Sequence, residues 1–76
     1  MNLQDRITVD PAILTGKPIV RGTRISVEFL MDLLAQGWTK EQILTNYPQL
    51  HSDDIQAVLQ YAADSVKQER IYPISA

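Results

Sequence analysis

The chain has 76 residues, no cysteine, one histidine and a formal net charge of −2. This length allows one small domain, and the lack of cysteine excludes disulfides, thiolate metal sites and cysteine nucleophiles. A hydrophobic content of 45% with 21% charged residues is typical of a folded protein, so a hydrophobic core is expected.

The charges are unevenly distributed. Residues 1–27 carry four basic and two acidic side chains, net +2, whereas residues 28–76 carry three basic and seven acidic ones, net −4. Any contact with nucleic acid is therefore expected from the first third of the chain. No apolar run approaches the ~20 residues that cross a bilayer, and the N-terminus does not resemble a secretion signal. We expect a cytoplasmic protein without membrane contact.

Two extended segments are predicted in the first third of the chain. Residues 6–9 favour a short strand because β-branched residues dominate, and Asp10-Pro11 then favours a turn. Residues 18–25 favour a second extended segment, in which Gly22 offers a tight turn or a bulge. The two segments can pair as a hairpin around a bend at residues 15–17, or each can pair with a partner chain. The sequence leaves both arrangements open.

Two helices are predicted next. Ser26 is a suitable N-cap for a helix over residues 27–36. Thr39, with Gln42 three residues later, forms a capping-box pattern for a helix over residues 40–46. The first helix is apolar on almost every side and therefore needs cover on two sides. We expect a homo-oligomer, a dimer or higher, to supply that cover, with the N-terminal hairpin as the alternative.

A third helix is predicted from an N-cap at Ser52 to about Gln68. Asp53 and Asp54 are expected to complement the helix dipole in its first turn. The apolar stripe expected to face the core contains Ile55, Val58, Leu59, Ala62 and Val66.

The predicted fold is mainly α, a three-helix bundle with a short N-terminal β-hairpin or β-strand element. Residues 1–76 are expected to form a single domain. Within it, residues 1–25 form a β-rich basic arm, residues 26–68 form the three-helix bundle, and residues 69–76 form an extended tail.

Residues suited to catalysis are scarce. His51 is the one side chain whose ordinary pKa suits general-base chemistry near neutral pH, and its position favours a loop histidine near a helix start. Asp53 and Asp54 are adjacent on a helix and point ~100° apart, which does not favour a metal site. The chain has no Ser-His-Asp set and no cofactor fingerprint. We predict no enzyme activity, no catalytic residue, no metal and no cofactor.

The segment from Gly16 to Ile25 concentrates three basic residues and two glycines. The candidate residues for contact with DNA or a protein partner are Lys17, Arg21, Thr23 and Arg24. Arginine suits phosphates, base edges and carboxylates alike. The residues expected to shape turns are Gly16, Pro18 and Gly22. Alternatively, the arginines pair with the chain's own acids, which are Asp10, Glu28 and Asp32.

These residues belong to a longer pattern. Its members are Asp10-Pro11, Gly16-Lys17-Pro18, Arg21-Gly22-Thr23-Arg24, Val27, Gly37, Ile43-Leu44, Tyr47-Pro48-Gln49-Leu50, Asp54-Ile55 and Leu59-Gln60-Tyr61-Ala62-Ala63. Over about residues 6–66 this pattern closely resembles the short prokaryotic proteins of the domain of unknown function 433 family (DUF433). The Gly-Lys-Pro-x-x-Arg-Gly-Thr-Arg run is its most specific part.

The resemblance implies a compact trihelical, homeodomain-like (helix-turn-helix) fold with a short N-terminal β element. It also implies an antitoxin-like role in a toxin–antitoxin pair whose toxin resembles a PIN-type ribonuclease. One hypothesis is a dimeric transcriptional regulator that binds operator DNA through the basic segment. The other is a protein-interaction module that neutralises the toxin without touching DNA, using the acidic residues 28–76 against a basic ribonuclease surface.

Overall fold

The structure is a computed structural model, and it describes residues 3–68. The elements in chain order are a 3₁₀ turn (Leu3–Arg6), β1 (Ile7–Val9), a second 3₁₀ turn (Leu14–Gly16), β2 (Pro18–Val20), α1 (Val27–Ala35), α2 (Lys40–Asn46) and α3 (Ser52–Gln68). The prediction of a mainly helical fold with three helices and an N-terminal hairpin is confirmed. The predicted tail, residues 69–76, lies outside the described residues.

The two strands pair with each other in an antiparallel hairpin. The opposed residues are Ile7 and Val20, Thr8 and Ile19, and Val9 and Pro18. The structure thus decides between the two arrangements that the sequence left open, and the strands pair within the chain.

Both predicted strands were too long. Arg6 was placed in the first strand, but it ends the first 3₁₀ turn. The second segment was predicted as extended over 18–25, but β2 ends at Val20 because the chain turns at once. After the turn the chain runs back beside β2, where Ile19 bridges to Ser26.

The hydrophobic core lies between the hairpin and the three helices. Its buried members are Val20, Val27, Leu30, Leu33, Ile43, Leu50, Ile55 and Val58. Burying each of these side chains stabilises the fold by about 1.5–3 kcal/mol before the cost of ordering the chain is counted. Ile25 and Trp38, which precede the first two helices, pack against this core from outside.

The first helix begins as predicted and ends one residue early. The Ser26 Oγ accepts a hydrogen bond from the Phe29 N–H at 2.9 Å, and Gln36 forms the C-cap. Both β2 and α3 pack against α1, so the hairpin supplies part of the cover that this helix needs. Phe29 and Met31 remain exposed on its outer side.

The second helix has the predicted bounds and the predicted capping box. The Gln42 N–H donates to Thr39 Oγ1 at 3.1 Å, and the Thr39 N–H donates to Gln42 Oε1 at 2.8 Å. Two orphan donors at the helix start are thereby satisfied locally, which explains why the sequence alone located this helix.

The start of α3 differs from the prediction. Ser52 is the first residue of the helix rather than its N-cap. The carboxylate of Asp54, predicted to complement the helix dipole, is buried and accepts a hydrogen bond from the His51 N–H at 2.8 Å. An acidic side chain at the third helical position closes the first turn in this way, so no serine cap is needed.

The prediction of which α3 side chains face the core was also partly wrong. Ile55 and Val58 are buried as predicted, but Leu59 is 45% exposed and Val66 is 58% exposed. The buried face is rotated toward Asp54 and Ala57. The physical reason is that the first 3₁₀ turn and β1 pack against this side of the helix.

Candidate nucleic-acid interface

The candidate interface is built around a tight turn that we call the basic turn, residues 20–24. The Thr23 N–H donates to the Val20 carbonyl at 3.0 Å, which closes a four-residue turn. Gly22 occupies the third position with φ +83°, where a type II turn requires positive φ. A Cβ atom at Gly22 would meet nothing within 4 Å, so the backbone conformation rather than lack of space favours glycine.

The Thr23 side chain holds the turn together. Its hydroxyl donates to the Val20 carbonyl at 2.8 Å and accepts from the Ile25 N–H at 3.0 Å. The predicted contact residue Thr23 is therefore half-buried and already uses its donor within the turn.

Both ends of the basic turn are anchored. On the incoming side, the Val20 N–H donates to the Ile25 carbonyl at 2.9 Å. On the outgoing side, Ser26 caps α1. A turn held between a strand and a helix presents its side chains from a rigid base, which favours precise contacts.

Arg21 is exposed but oriented by the backbone. Its Nε donates to the Asp5 carbonyl at 2.6 Å, and its backbone N–H donates to the Arg6 carbonyl at 2.7 Å. Its terminal nitrogens, Nη1 and Nη2, have no partner among residues 3–68. The guanidinium is thus held at one edge, and its terminal donors face solvent.

Arg24 is exposed on the far side of Gly22. Among the described residues it has no hydrogen bond and no ion pair. The alternative prediction paired Arg21 and Arg24 with the chain's own acids. In the described part of the chain, neither arginine contacts a carboxylate.

Lys17 is placed differently. Its Nζ lies 3.0 Å from Glu28 Oε1 at the start of α1, and both side chains are largely exposed. Lys17 follows three residues with positive φ, which are Leu14, Thr15 and Gly16, and precedes Pro18 at the start of β2. An exposed ion pair contributes about 0–1 kcal/mol, so a ligand can displace it at little cost.

A groove of about 640 Å³ runs beside the basic turn. Its lining includes Arg21 and Arg24 as well as the apolar residues Pro11 and Ile13. Asp10 also lines it, and its Oδ1 accepts the Ala12 N–H at 2.9 Å. The lining of the groove therefore combines two cationic side chains with apolar ones and one carboxylate.

The fourth basic residue of the arm, Arg6, forms ion pairs with two carboxylates of α3. Arg6 Nη1 lies 3.0 Å from Asp54 Oδ1, and Arg6 Nη2 lies 3.5 Å from Asp53 Oδ2. We call these three residues the Arg6 cluster. The sequence offered no signal for it, because 48 residues separate Arg6 from Asp54 and no local spacing connects them.

The described residues offer little for other chemistry. Among residues 3–68, no group of three or more His, Asp or Glu side chains could hold a metal ion. His51 is exposed in the loop before α3. No helix in this part of the chain combines the length and apolar character needed to cross a membrane.

Residues 7–62 match the family described as "Protein of unknown function (DUF433)". This chain belongs to the DUF433 family. The predicted resemblance is confirmed, and the matched residues include the hairpin, the basic turn, α1, α2 and most of α3.

Two relatives illustrate the DUF433 match. The crystal structure at 2.00 Å of a DUF433 member protein from Anabaena variabilis ATCC 29413 has a TM-score of 0.79 and 33% identity, covering 87% of this chain and 65% of that one. Uncharacterized protein y4eO of Sinorhizobium fredii (strain NBRC 101917 / NGR234) is 38% identical over 56 residues, 74% of this chain and 25% of y4eO. The chain thus spans a quarter of y4eO and just under two thirds of the Anabaena protein.

Proposed function

We propose that this DUF433 protein is a non-enzymatic, antitoxin-like regulator that binds operator DNA through its basic turn. One observation carries the proposal. The exposed guanidinium groups of Arg21 and Arg24 flank Gly22 on a turn that a strand and a helix hold in place. The antitoxin-like part of the proposal rests on the family resemblance.

The chemistry of the turn suits a nucleic-acid backbone. Phosphate contacts from arginine supply most of the sequence-independent affinity of DNA-binding proteins. Gly22 has no side chain, so a phosphate or sugar can approach the backbone between the two arginines. Thr23 shapes the turn, and Lys17 adds a third basic side chain to the same arm once its exposed pair with Glu28 opens.

The same structure argues against α3 as the DNA-reading helix. Its first turn carries Asp53, whose side chain is 67% exposed, beside the buried Asp54. DNA carries one negative charge per ~1.7 Å of its axis, and the first turn of this helix carries no basic side chain to pair with it. The exposed Arg21 and Arg24 lie instead on the turn that follows β2.

The test is a DNA-binding titration at several salt concentrations. The probe is a fluorescent duplex that contains the region upstream of the protein's own gene, with an unrelated duplex for comparison. The double variant Arg21→Ala/Arg24→Ala should bind more weakly and reduce the slope of log K against log salt by about two, because two phosphate contacts are lost.

Lys40→Ala is the matched control, because it removes a positive charge from an exposed position at the start of α2. It should leave the slope nearly unchanged. An equal loss for Lys40→Ala and for the double variant would show general charge attraction only. An unchanged slope in the double variant would refute the role of the basic turn.

A second function has one observation in its favour. Leu59 and Val66 stand seven residues apart on one flank of α3, and both are largely exposed. Such a flank suits a protein partner, in line with a module that neutralises a PIN-type ribonuclease-like toxin without binding DNA. The acidic version of this hypothesis is weaker, because Asp54 is buried and Asp53 pairs with Arg6.

Inhibition of a partner ribonuclease, followed with an RNA substrate, separates the two functions. Neutralisation that survives Arg21→Ala/Arg24→Ala but is lost in Leu59→Ser/Val66→Ser supports the second function. If neither double variant changes inhibition, this flank of α3 is not the toxin-binding surface.

A further inference from the structure

The three helices carry little positive charge for the major groove of DNA, which admits a helix or a two-stranded ribbon. α1 contains Glu28 and Asp32 and no basic residue. α3 contains three aspartates and one base, Lys67, which lies in its last turn. α2 contains one base and one acid, Lys40 and Glu41. No helix among the described residues therefore has an excess of positive charge to set against the phosphates.

The β-hairpin has few side chains that could read bases. The sequence of β1 is Ile-Thr-Val and that of β2 is Pro-Ile-Val. Thr8 is the one side chain with a hydrogen-bonding group in the two strands. Bases in the major groove are distinguished by side-chain donors and acceptors, and a ribbon with a single threonine supplies almost none.

The basic turn has the dimensions and the charge that suit the minor groove. An α-helix with its side chains is ~10–12 Å across, whereas the ends of a four-residue turn lie less than ~7 Å apart. The minor groove is ~6 Å wide, so a helix cannot enter it, but a turn at its mouth can extend an arginine side chain into it. The space around Gly22 is open, which lets the turn approach both phosphate backbones closely.

The two arginines of the basic turn are held differently. The bond from Arg21 Nε to the Asp5 carbonyl, at 2.6 Å, fixes one edge of that guanidinium and leaves its two terminal nitrogens side by side. A fixed pair of donors suits the two oxygens of a phosphate. Nothing within residues 3–68 holds the exposed side chain of Arg24, which is therefore able to extend beyond the turn.

We propose that Arg24 extends between the two phosphate backbones into the minor groove and that the protein therefore prefers A·T-rich tracts. Arg21 binds a phosphate at the edge of the same groove. This inference rests on the proposed DNA binding, and it adds the class of DNA that the basic turn selects and the residue that selects it.

The preference has two physical causes. A-tracts have a narrow minor groove with an enhanced negative potential, which attracts an inserted cation. A G·C pair instead places the N2 amino group of guanine on the floor of the groove, where it occupies space and brings a donor toward the arginine donors. Arginine suits this position better than lysine, because a guanidinium is more weakly hydrated than an ammonium group and loses less on leaving water.

The test compares four fluorescent duplexes with the same flanking sequence at one salt concentration. Their central tracts consist of A·T, G·C, inosine·C or 2,6-diaminopurine·T pairs. Inosine lacks the N2 amino group of guanine, so its pair with cytosine keeps the major-groove edge of G·C and removes this group from the minor groove. Diaminopurine does the reverse, because it adds the amino group to the minor groove and keeps the major-groove edge of A·T.

Readout through the minor groove groups the duplexes by the amino group. The wild-type protein should bind the A·T and inosine·C duplexes about tenfold more tightly than the G·C and diaminopurine·T duplexes. Readout through the major groove would instead group A·T with diaminopurine·T and G·C with inosine·C, and that result overturns the inference.

Two charge-conserving variants separate the roles of the arginines. Arg24→Lys should reduce the ratio of A·T to G·C affinity to about twofold or less, because the ammonium group enters the groove less readily. Arg21→Lys should weaken binding to all four duplexes by a similar factor and preserve the ratio, because it removes a bidentate phosphate contact. Lys40→Ala, at an exposed position on α2, should preserve the wild-type ratio.

The outcomes distinguish this inference from the proposed function. Equal affinity for all four duplexes overturns the inference and leaves the proposed DNA binding intact. Binding to none of them, or to the upstream duplex, overturns both. A wild-type ratio in Arg24→Lys, or a ratio lost in Arg21→Lys instead, overturns the assignment of Arg24 as the residue that reads the groove.

Discussion

The three arginines of the N-terminal arm have two different environments: one is ion-paired with α3, and two are exposed. Arg6 lies against the first turn of α3, where Asp53 and Asp54 neutralise it. Arg21 and Arg24 lie on the basic turn and contact no carboxylate among the described residues. The two groups are nevertheless connected, because the Arg21 N–H donates to the Arg6 carbonyl.

The comparison shows that formal charge and available charge are different quantities. All three arginines lie in one basic arm of the sequence, but the charge of Arg6 is neutralised by the ion pairs that join this arm to α3. The arm is therefore joined to α3 by a partly buried ion pair, and its other basic side chains are exposed. We expect substitutions in the Arg6 cluster to change stability and substitutions at the tip of the basic turn to change binding.

The largest effect is expected from Asp54→Ala. The Asp54 side chain is 6% exposed, and its removal breaks the 3.0 Å ion pair with Arg6 and leaves the His51 N–H without its acceptor. Breaking a partly buried ion pair and a helix cap together should lower the free energy of unfolding by about 2–3 kcal/mol. Urea denaturation followed by circular dichroism measures this loss.

Asp53→Ala is the control for that measurement, because the Asp53 side chain is exposed and lies 3.5 Å from the same arginine. Its cost should be below about 1 kcal/mol and should shrink further at high salt. Equal costs for the two variants would show that Arg6 is not held mainly by the buried carboxylate.

Thr23→Val tests whether the predicted contact residue is instead part of the turn. The change keeps the shape of the side chain and removes a hydroxyl that makes two hydrogen bonds. A loss of about 1–2 kcal/mol in the free energy of unfolding is expected. Thr23→Ser, which keeps the hydroxyl, should recover most of it. A stable Thr23→Val protein with impaired DNA binding would instead favour a direct contact.

Gly22→Ala should have a smaller effect. Alanine at φ +83° costs about 1 kcal/mol, although the added methyl group meets no neighbour. Gly22→Asn should cost less, because asparagine tolerates the left-handed region. Thermal unfolding of the two variants makes the comparison, and equal melting temperatures for all three proteins would show that the turn relaxes to another conformation.

The smallest effect on stability is expected from Arg24→Ala, which should change the free energy of unfolding by less than about 0.5 kcal/mol. Its effect should appear in DNA binding, with a salt slope lower by about one. A clearly destabilised Arg24→Ala protein would place Arg24 with Arg6 among the structural residues and would remove the contrast between the two regions.

Local patterns predicted the helices well, and they did so for a local reason. Ser26 and the Thr39–Gln42 pair satisfy orphan backbone donors within three residues, so a short sequence window contains the whole interaction. The start of α3 was misplaced because Asp54 closes that turn while it also binds Arg6, and this second contact comes from the other end of the chain.

For the candidate site, the sequence located the basic segment but not the state of its side chains. Lys17, Arg21, Thr23 and Arg24 are near one another in sequence. The structure makes one an ion-pair partner, one a turn residue and two exposed cations. Such roles depend on which carbonyls and carboxylates lie within 3–4 Å, and no spacing rule encodes that.

The sequence by itself determined the elements whose causes are local. These are the number of helices, the caps of the first two, the position of a short hairpin and the concentration of positive charge before α1. Tertiary structure alone decided which faces are buried and which charges are available. Leu59 and Val66 are exposed because the first 3₁₀ turn and β1 pack against a different side of α3. Arg6 does not contribute to the basic surface, because the fold brings it against the carboxylate of Asp54, 48 residues away in the sequence.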